Sequence, residues 1–154
     1  MKIVFVCTAN ICRSFMAERI FRKKSEENGR GDIEVASASI INMEGSHADS
    51  KAVDILKEKG FDSHGHRSRL LTEDIVAWAD KIIVMESIHK EKIIDNYPDA
   101  EEKVFLLKPF SGGCAGLIGG SMDDIKDPYK LSSYHYRLCF SELYLAIEGV
   151  LKCI

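Results

Sequence analysis

The sequence predicts one α/β domain, a three-layer α/β/α arrangement around a central four-stranded parallel sheet. Two observations carry this. Four short apolar runs with the composition of buried strands alternate with segments whose apolar residues recur at helical spacing, the pattern of a parallel sheet wrapped by helices. The 154 residues show no repeat, linker or composition shift, so they read as a single domain, 1–154, of a size that buries roughly 70% of its unfolded surface.

The elements follow in order. Lys2 to Val6 is a β-branched apolar run that reads as a strand buried on both faces. From Ser14 a helix places Met16, Ile20 and Phe21 on one side, and Asn28-Gly29 suits its C-terminal cap. Ile33 to Ala38 is the second strand candidate. Asp49 and Ser50 offer N-cap oxygens to a helix carrying Ala52, Val53, Ile55 and Leu56, which Gly60 ends. Thr72-Glu73-Asp74 starts a helix running to about Trp78. Lys81 to Met85 is the third strand, Ser87 to about Asn96 a helix halted by Pro98, and Val104 to Leu107 the fourth strand. Ser132 or Ser133 caps a long final helix with Tyr136, Phe140, Leu143, Ile147, Val150 and Leu151 at helical spacing. Phe110 to Ser121 departs from this regularity. It holds five glycines and two apolar residues, Leu117 and Ile118, and is the expected mobile element.

Composition narrows the function. A formal net charge of −3 argues against broad nucleic-acid binding, which needs a basic face. The opening run MKIVFVC is too short for a secretory h-region, and no stretch approaches the ~20 apolar residues of a membrane span. Five cysteines form an odd set without a CxxC pair, a poor disulfide framework and a poor zinc site, which points to a reducing compartment. The expectation is a cytoplasmic protein, a monomer, with neither nucleic acid nor membrane as partner.

The chemistry concentrates in Cys7-Thr8-Ala9-Asn10-Ile11-Cys12-Arg13-Ser14, between a buried strand and a helix start. In a parallel sheet, ligands bind at the carboxyl ends of strands. A helix N-terminus offers free N–H groups and partial positive charge, and consecutive N–H groups curling round an anion form a nest. Arg13 adds a guanidinium fork for two phosphate oxygens. Such positive surroundings favour a thiolate, the form of cysteine suited to in-line attack on phosphorus. Phosphoryl transfer then leaves an oxyanion needing a proton, and the thiophosphate needs an activated water. One carboxyl can serve both steps, and Asp127, fixed in presentation by Pro128, is the candidate. Asp123 and Asp124 read as solvated loop carboxylates. No cofactor or metal is required where Arg13 and the N–H nest offset the phosphate charge. His47, His64, His89 and His135 show no ligand spacing and read as surface residues.

VCTANICRSFMAE resembles the phosphate-binding loop of the low-molecular-weight protein tyrosine phosphatases. The likeness continues through Val35-Ala36-Ser37-Ala38, His66-Arg67-Ser68-Arg69 and Asp127-Pro128-Tyr129. It implies the phosphotyrosine phosphatase I-like fold, Cys7 as nucleophile, Arg13 as phosphate clamp and Asp127 as acid and later base. It also implies that residues Thr8 to Ser14 bind the phosphate, while Asn10, Ser14, Ser37 and His66 hold the loop rigid. The substrate implied is a phosphotyrosine-bearing protein or peptide, with inorganic phosphate as product.

The sequence also departs from that family. Phe15 stands where proline is usual, Lys126 and Lys130 flank the Asp-Pro-Tyr segment, and no aromatic occurs in Ile40 to Glu44. The ring-binding wall therefore falls to Ile11, Met43 or Ile41, and Tyr129. A phosphoarginine-specific sub-group has threonine where Ile11 stands, so an apolar flank favours a phenyl ring over a guanidinium. Arsenate reduction needs further cysteines for its relay, and none lies between Cys12 and Cys114. A silent phosphopeptide-binding module is disfavoured by the presence of Cys7, Arg13 and Asp127 together. Cys12 is a candidate to trap oxidised Cys7 as a disulfide.

Overall fold

The computed structural model describes residues 1–114 and 123–154. Leu117, Ile118 and the mobility expected of the glycine-rich segment fall on 115–122, outside the described residues. Strands Lys2–Cys7 (β1), Glu34–Ser39 (β2), Lys81–Val84 (β3) and Val104–Leu106 (β4) form a parallel sheet in the order β2-β1-β3-β4. The helices are Arg13–Glu27 (α1), Ser50–Glu58 (α2), Glu73–Trp78 (α3), Ser87–Asn96 (α4) and Ser133–Cys153 (α5). Two 3₁₀ turns, Pro98–Lys103 and Lys108–Gly112, flank β4 and were not legible as elements.

Alternation along β1 divides the core. Ile3, Phe5 and Cys7 face Phe15, Phe21, Leu143 and Ile147 of α1 and α5, while Val4 and Val6 face Val76 of α3 and Ile93 of α4. Both layers are apolar because β1 lies inside the sheet, with β2 on one side and β3 on the other. The chain steps from β1 to β2, then crosses back to β3 on β1's opposite edge. That reversal opens a crevice beyond the carboxyl ends of β1 and β3, where ligands of such sheets bind. The loops after these two strands meet there.

Helix ends follow the expected chemistry in part. Gly29 and Gly60 lie beyond their helices at φ +70° and +77°, the left-handed region that stops a helix. Thr72 caps α3 by accepting from the Ile75 N–H at 3.4 Å. Asp49 and Ser132 stand at the N-cap positions of α2 and α5 without side-chain capping bonds. Ser132 Oγ meets His135 Nδ1 instead, at 2.9 Å.

The cysteine reading needs correction. Cys114 and Cys153 form a disulfide across a separation of 39 residues, leaving Cys7, Cys12 and Cys139 free and buried. The bridge ties the end of α5 to the turn after β4 and removes the cysteine-based argument for a reducing compartment. Close packing joins the same two elements: a Cβ on Gly149 would meet the Phe110 carbonyl oxygen at 1.9 Å, so only glycine lets α5 close on that turn. Among the described residues no helix is long and apolar enough to cross a membrane, and no group of three or more His, Cys, Asp or Glu is arranged to hold a metal ion.

Candidate active site

The loop from Cys7 to Cys12 is shaped by where its carbonyls go. Ile40 N–H bonds Cys7 O at 3.0 Å, Ile41 N–H bonds Thr8 O at 3.0 Å, and Asp49 N–H bonds Ile11 O at 2.8 Å. Ser68 Oγ donates to Ala9 O at 2.7 Å, His66 Nε2 to Asn10 O at 2.6 Å, and Met16 N–H to Cys12 O at 2.9 Å. In a trans peptide the N–H of the next residue points opposite to the carbonyl, and no described bond is cis. Six carbonyls drawn outward therefore turn the N–H groups of Thr8 to Arg13 inward. The turn needs one left-handed residue, Asn10, at φ +55°. Cys12, at the N-cap of α1, makes no side-chain capping bond, so the helix start stays open to an anion.

Asn10 and Ser14 orient the nucleophile candidate. Asn10 Nδ2 donates to Ser14 Oγ at 2.8 Å, so the Ser14 proton is free to point at Cys7 Sγ, 3.0 Å away. Asn10 Oδ1 accepts from Arg69 N–H at 3.1 Å. The His66 ring packs at 4.4 Å from Phe15, which makes the departure at position 15 a support for the loop's carbonyl donor. Ser37 differs from expectation. Its hydroxyl donates to Glu18 Oε2 at 2.5 Å and reaches no loop atom, and only its carbonyl communicates, by accepting from Arg69 Nε at 3.0 Å.

Arg13 is 1% exposed and joins three elements. Nη1 donates to Glu86, two residues beyond the end of β3, and to Ile125 O at 2.9 Å. Nη2 lies 3.3 Å from Asp127 Oδ2. The other Asp127 oxygen accepts from Tyr129 N–H at 3.1 Å, a local turn that fixes the carboxyl. Burial alone would lower the Arg13 pKa. The negative charges of Cys7, Asp127 and Glu86 outweigh it, and the net direction is upward.

Cys7, Thr8, Ala9, Ile11, Cys12, Arg13, Ile41, Met43, Asp127 and Tyr129 line one cleft of about 250 Å³. The thiol, guanidinium and carboxyl thus share a single opening with an apolar wall. A family model described as low molecular weight phosphotyrosine protein phosphatase matches residues 2–154. The chain belongs to that family. It is similar to a protein-arginine-phosphatase of Geobacillus stearothermophilus, 37% identical over 96% of this chain and 91% of that one. It is also similar to the low molecular weight protein-tyrosine-phosphatase Wzb of Escherichia coli, 30% identical over 95% and 87%. A solved low molecular weight protein tyrosine phosphatase from T. tengcongensis superposes with a TM-score of 0.89, 36% identical, covering 100% of this chain and 99% of that one.

Three residues of this phosphatase's site were not anticipated: Glu86, Asp124 and His89. Glu86 pairs with Arg13. Asp124 is bonded to Ser87 and partly buried, where a solvated carboxylate was expected. His89, expected at the surface, is 2% exposed. Its Nδ1 accepts from Glu86 N–H at 3.2 Å, so Nε2 carries the proton and donates to Thr8 Oγ1 at 2.9 Å. A sequence signal existed for Glu86 and His89 alone, since both adjoin the end of a predicted strand where ligands bind. His47, His64 and His135 are exposed as expected.

Burial first, and then the Arg13 charge, lower the His89 pKa to about 4. Burial also lowers that of His66. A depressed folded pKa gives stability that is complete above the unfolded value near 6.5 and is lost as pH falls toward 4. For His89 the difference is on the order of 3 kcal/mol. Urea unfolding between pH 7 and 4 should show this loss, and His89→Gln should flatten it. An unchanged slope in the variant would remove His89 as its source.

The Cys12 thiol is pushed well up, chiefly by burial, and Cys139 likewise. Cys12 packs within the buried cluster beneath the sheet's α1–α5 face.

Proposed function

We propose that the phosphatase hydrolyses phosphotyrosine in proteins or peptides through a phosphocysteine on Cys7. The phosphate oxygens lie on the inward N–H groups of Thr8 to Arg13 and on the Arg13 guanidinium. Buried Arg13 Nε has no hydrogen-bond partner among the described residues, an unmet donor that a phosphate oxygen satisfies. The Cys7 thiolate, stabilised by the Ser14 hydroxyl, attacks phosphorus, and the electron pair of the breaking P–O bond passes to the phenolic oxygen. That oxygen takes the Asp127 proton. Water then attacks phosphorus, gives a proton to Asp127, and breaks the P–S bond, releasing inorganic phosphate and restoring the thiolate. The reading assigns no metal or cofactor, because Arg13 and the N–H groups offset the charge. It keeps the sequence expectation of a monomer acting in the cytoplasm.

The observation that carries the reading is the cleft wall. Ile11, Ile41, Met43 and Tyr129 present apolar surface beside the Cys7–Arg13–Asp127 group, which suits a phenyl ring. Phosphoarginine is the second reading, favoured by the 37% identity to the Geobacillus stearothermophilus protein-arginine-phosphatase. A guanidinium entering this cleft would leave N–H groups against aliphatic carbon, with the Thr8 hydroxyl and Asp127 as side-chain acceptors. Matched peptides bearing phosphotyrosine or phosphoarginine decide between them. The expected kcat/KM ratio is about tenfold or more toward phosphotyrosine, and parity or reversal would reject the assignment.

A further inference from the structure

The segment carrying Asp127 is fastened to the β3–α4 junction by contacts just before the carboxyl. Ile125 N–H donates to Met85 O at 2.8 Å, and Ile125 O accepts from Arg13 Nη1 at 2.9 Å. Asp124 Oδ1 accepts twice from Ser87, from the backbone N–H at 2.7 Å and from the hydroxyl at 2.9 Å. Lys108 Nζ approaches Asp124 O at 3.4 Å. Residues 85–87 also include Glu86, which holds Arg13. Acid segment and phosphate clamp are therefore registered against the same three residues.

Within this attachment, Asp124 supplies the carboxylate. Ser87 is the first residue of α4, where N–H groups lack intrahelical acceptors and the helix presents partial positive charge. A carboxylate there makes charge-assisted bonds stronger than neutral ones. Asp124 lies three residues before Asp127, with buried Ile125 between them. The lever from anchor to carboxyl is short and held at its middle.

We propose that Asp124 is a positioning residue that fixes Asp127 for proton donation, an inference that rests on the reading of Asp127 as general acid. Loosening the anchor displaces the carboxyl, while the loop carbonyls of residues 7–12 keep their bonds to residues 16, 40, 41, 49, 66 and 68. A misplacement on the scale of 1 Å in such a group costs about 10- to 100-fold in rate.

The test compares kcat/KM on two aryl phosphates, because this constant covers the steps through departure of the phenol. Phenyl phosphate releases a phenol with a pKa near that of tyrosine, ~10, and needs the proton. p-Nitrophenyl phosphate releases a far more acidic phenol and needs it much less. Asp124→Ala should lower the phenyl to p-nitrophenyl ratio by about tenfold, with Asp124→Asn intermediate and Ser87→Ala smaller in the same direction. Competitive inhibition by inorganic phosphate should change less than the ratio, because the loop N–H groups are held by bonds outside the Asp124 segment. Partial unfolding lowers both activities equally and leaves the ratio untouched, so poor folding cannot mimic the effect. Asp127→Asn serves as reference. If it collapses the ratio while both Asp124 variants keep the wild-type value, Asp124 has no positioning role. If Asp127→Asn itself keeps the ratio, the acid assignment fails and the proposal with it.

Discussion

Cys7→Ser is expected to lower kcat by about 10⁵-fold or more, the scale seen when a covalent nucleophile is removed from an assembled site. The structure makes this substitution informative. Cys7 ends β1 at 3% exposure, and Ser14 points its hydroxyl at the sulfur. Serine preserves the volume and the hydrogen bond, but its hydroxyl has no general base within the loop to remove its proton. The N–H groups of Thr8 to Arg13 and the Arg13 side chain are untouched. The variant should therefore still bind a phosphotyrosine peptide, with an affinity within about tenfold of the wild-type KM. Titration calorimetry beside a steady-state assay reads both quantities. Retained turnover would move the nucleophile elsewhere, and lost binding would mean that the sulfur, rather than the N–H ring, holds the phosphate.

Arg13→Ala should lower kcat/KM by about 10³-fold, the cost of removing a donor aimed at developing charge in a dry site. It should also destabilise the fold. Glu86 lies 25% exposed against Arg13, and the Ile125 carbonyl accepts from the same guanidinium. Removing the cation leaves a half-buried carboxylate without its partner, at a cost of about 3 kcal/mol. For a chain of this length that corresponds to a fall in Tm of roughly 6–12 °C. Arg13→Lys restores charge but cannot reach Glu86, Ile125 O and a phosphate together, so it should recover stability more than rate. Double substitution with Glu86→Gln separates the effects: Tm should rise above that of Arg13→Ala alone, while activity stays low. Equal Tm values in the single and double variants would show that Glu86 is already satisfied by solvent.

The parts of this site legible in sequence are those where one short segment contains both the structural cue and the reactive group. A β-branched strand, a cysteine, and an arginine-serine helix start lie within Lys2 to Ser14. Asp127 is marked by Pro128. Glu86, His89 and Asp124 reach this site only because β3 lies beside β1, an adjacency that hydrophobic periodicity does not encode. Within a list of loop and helix residues, nothing distinguishes Asp124 from a solvated acid until Ser87 is placed against it. Ser37 failed in the opposite direction, since a strand residue's facing depends on register, and its hydroxyl turns to Glu18. The Cys114–Cys153 bridge was illegible for a related reason, because cysteine counting does not reveal which two residues a fold brings together. The four parallel strands and five helices among the described residues, by contrast, follow from alternating apolar runs, with ends displaced by a residue or so.

The outward pull on six successive carbonyls has one more consequence. Since the body of the domain holds this ring open, its attraction is for a tetrahedral oxyanion as such, irrespective of what the anion was once attached to. On the proposed reading, the liberated product should fit the seat about as well as the reacting ester does. Turnover in a phosphate-rich environment should then be throttled by its own end product, with discrimination among esters falling to the walls rather than the floor.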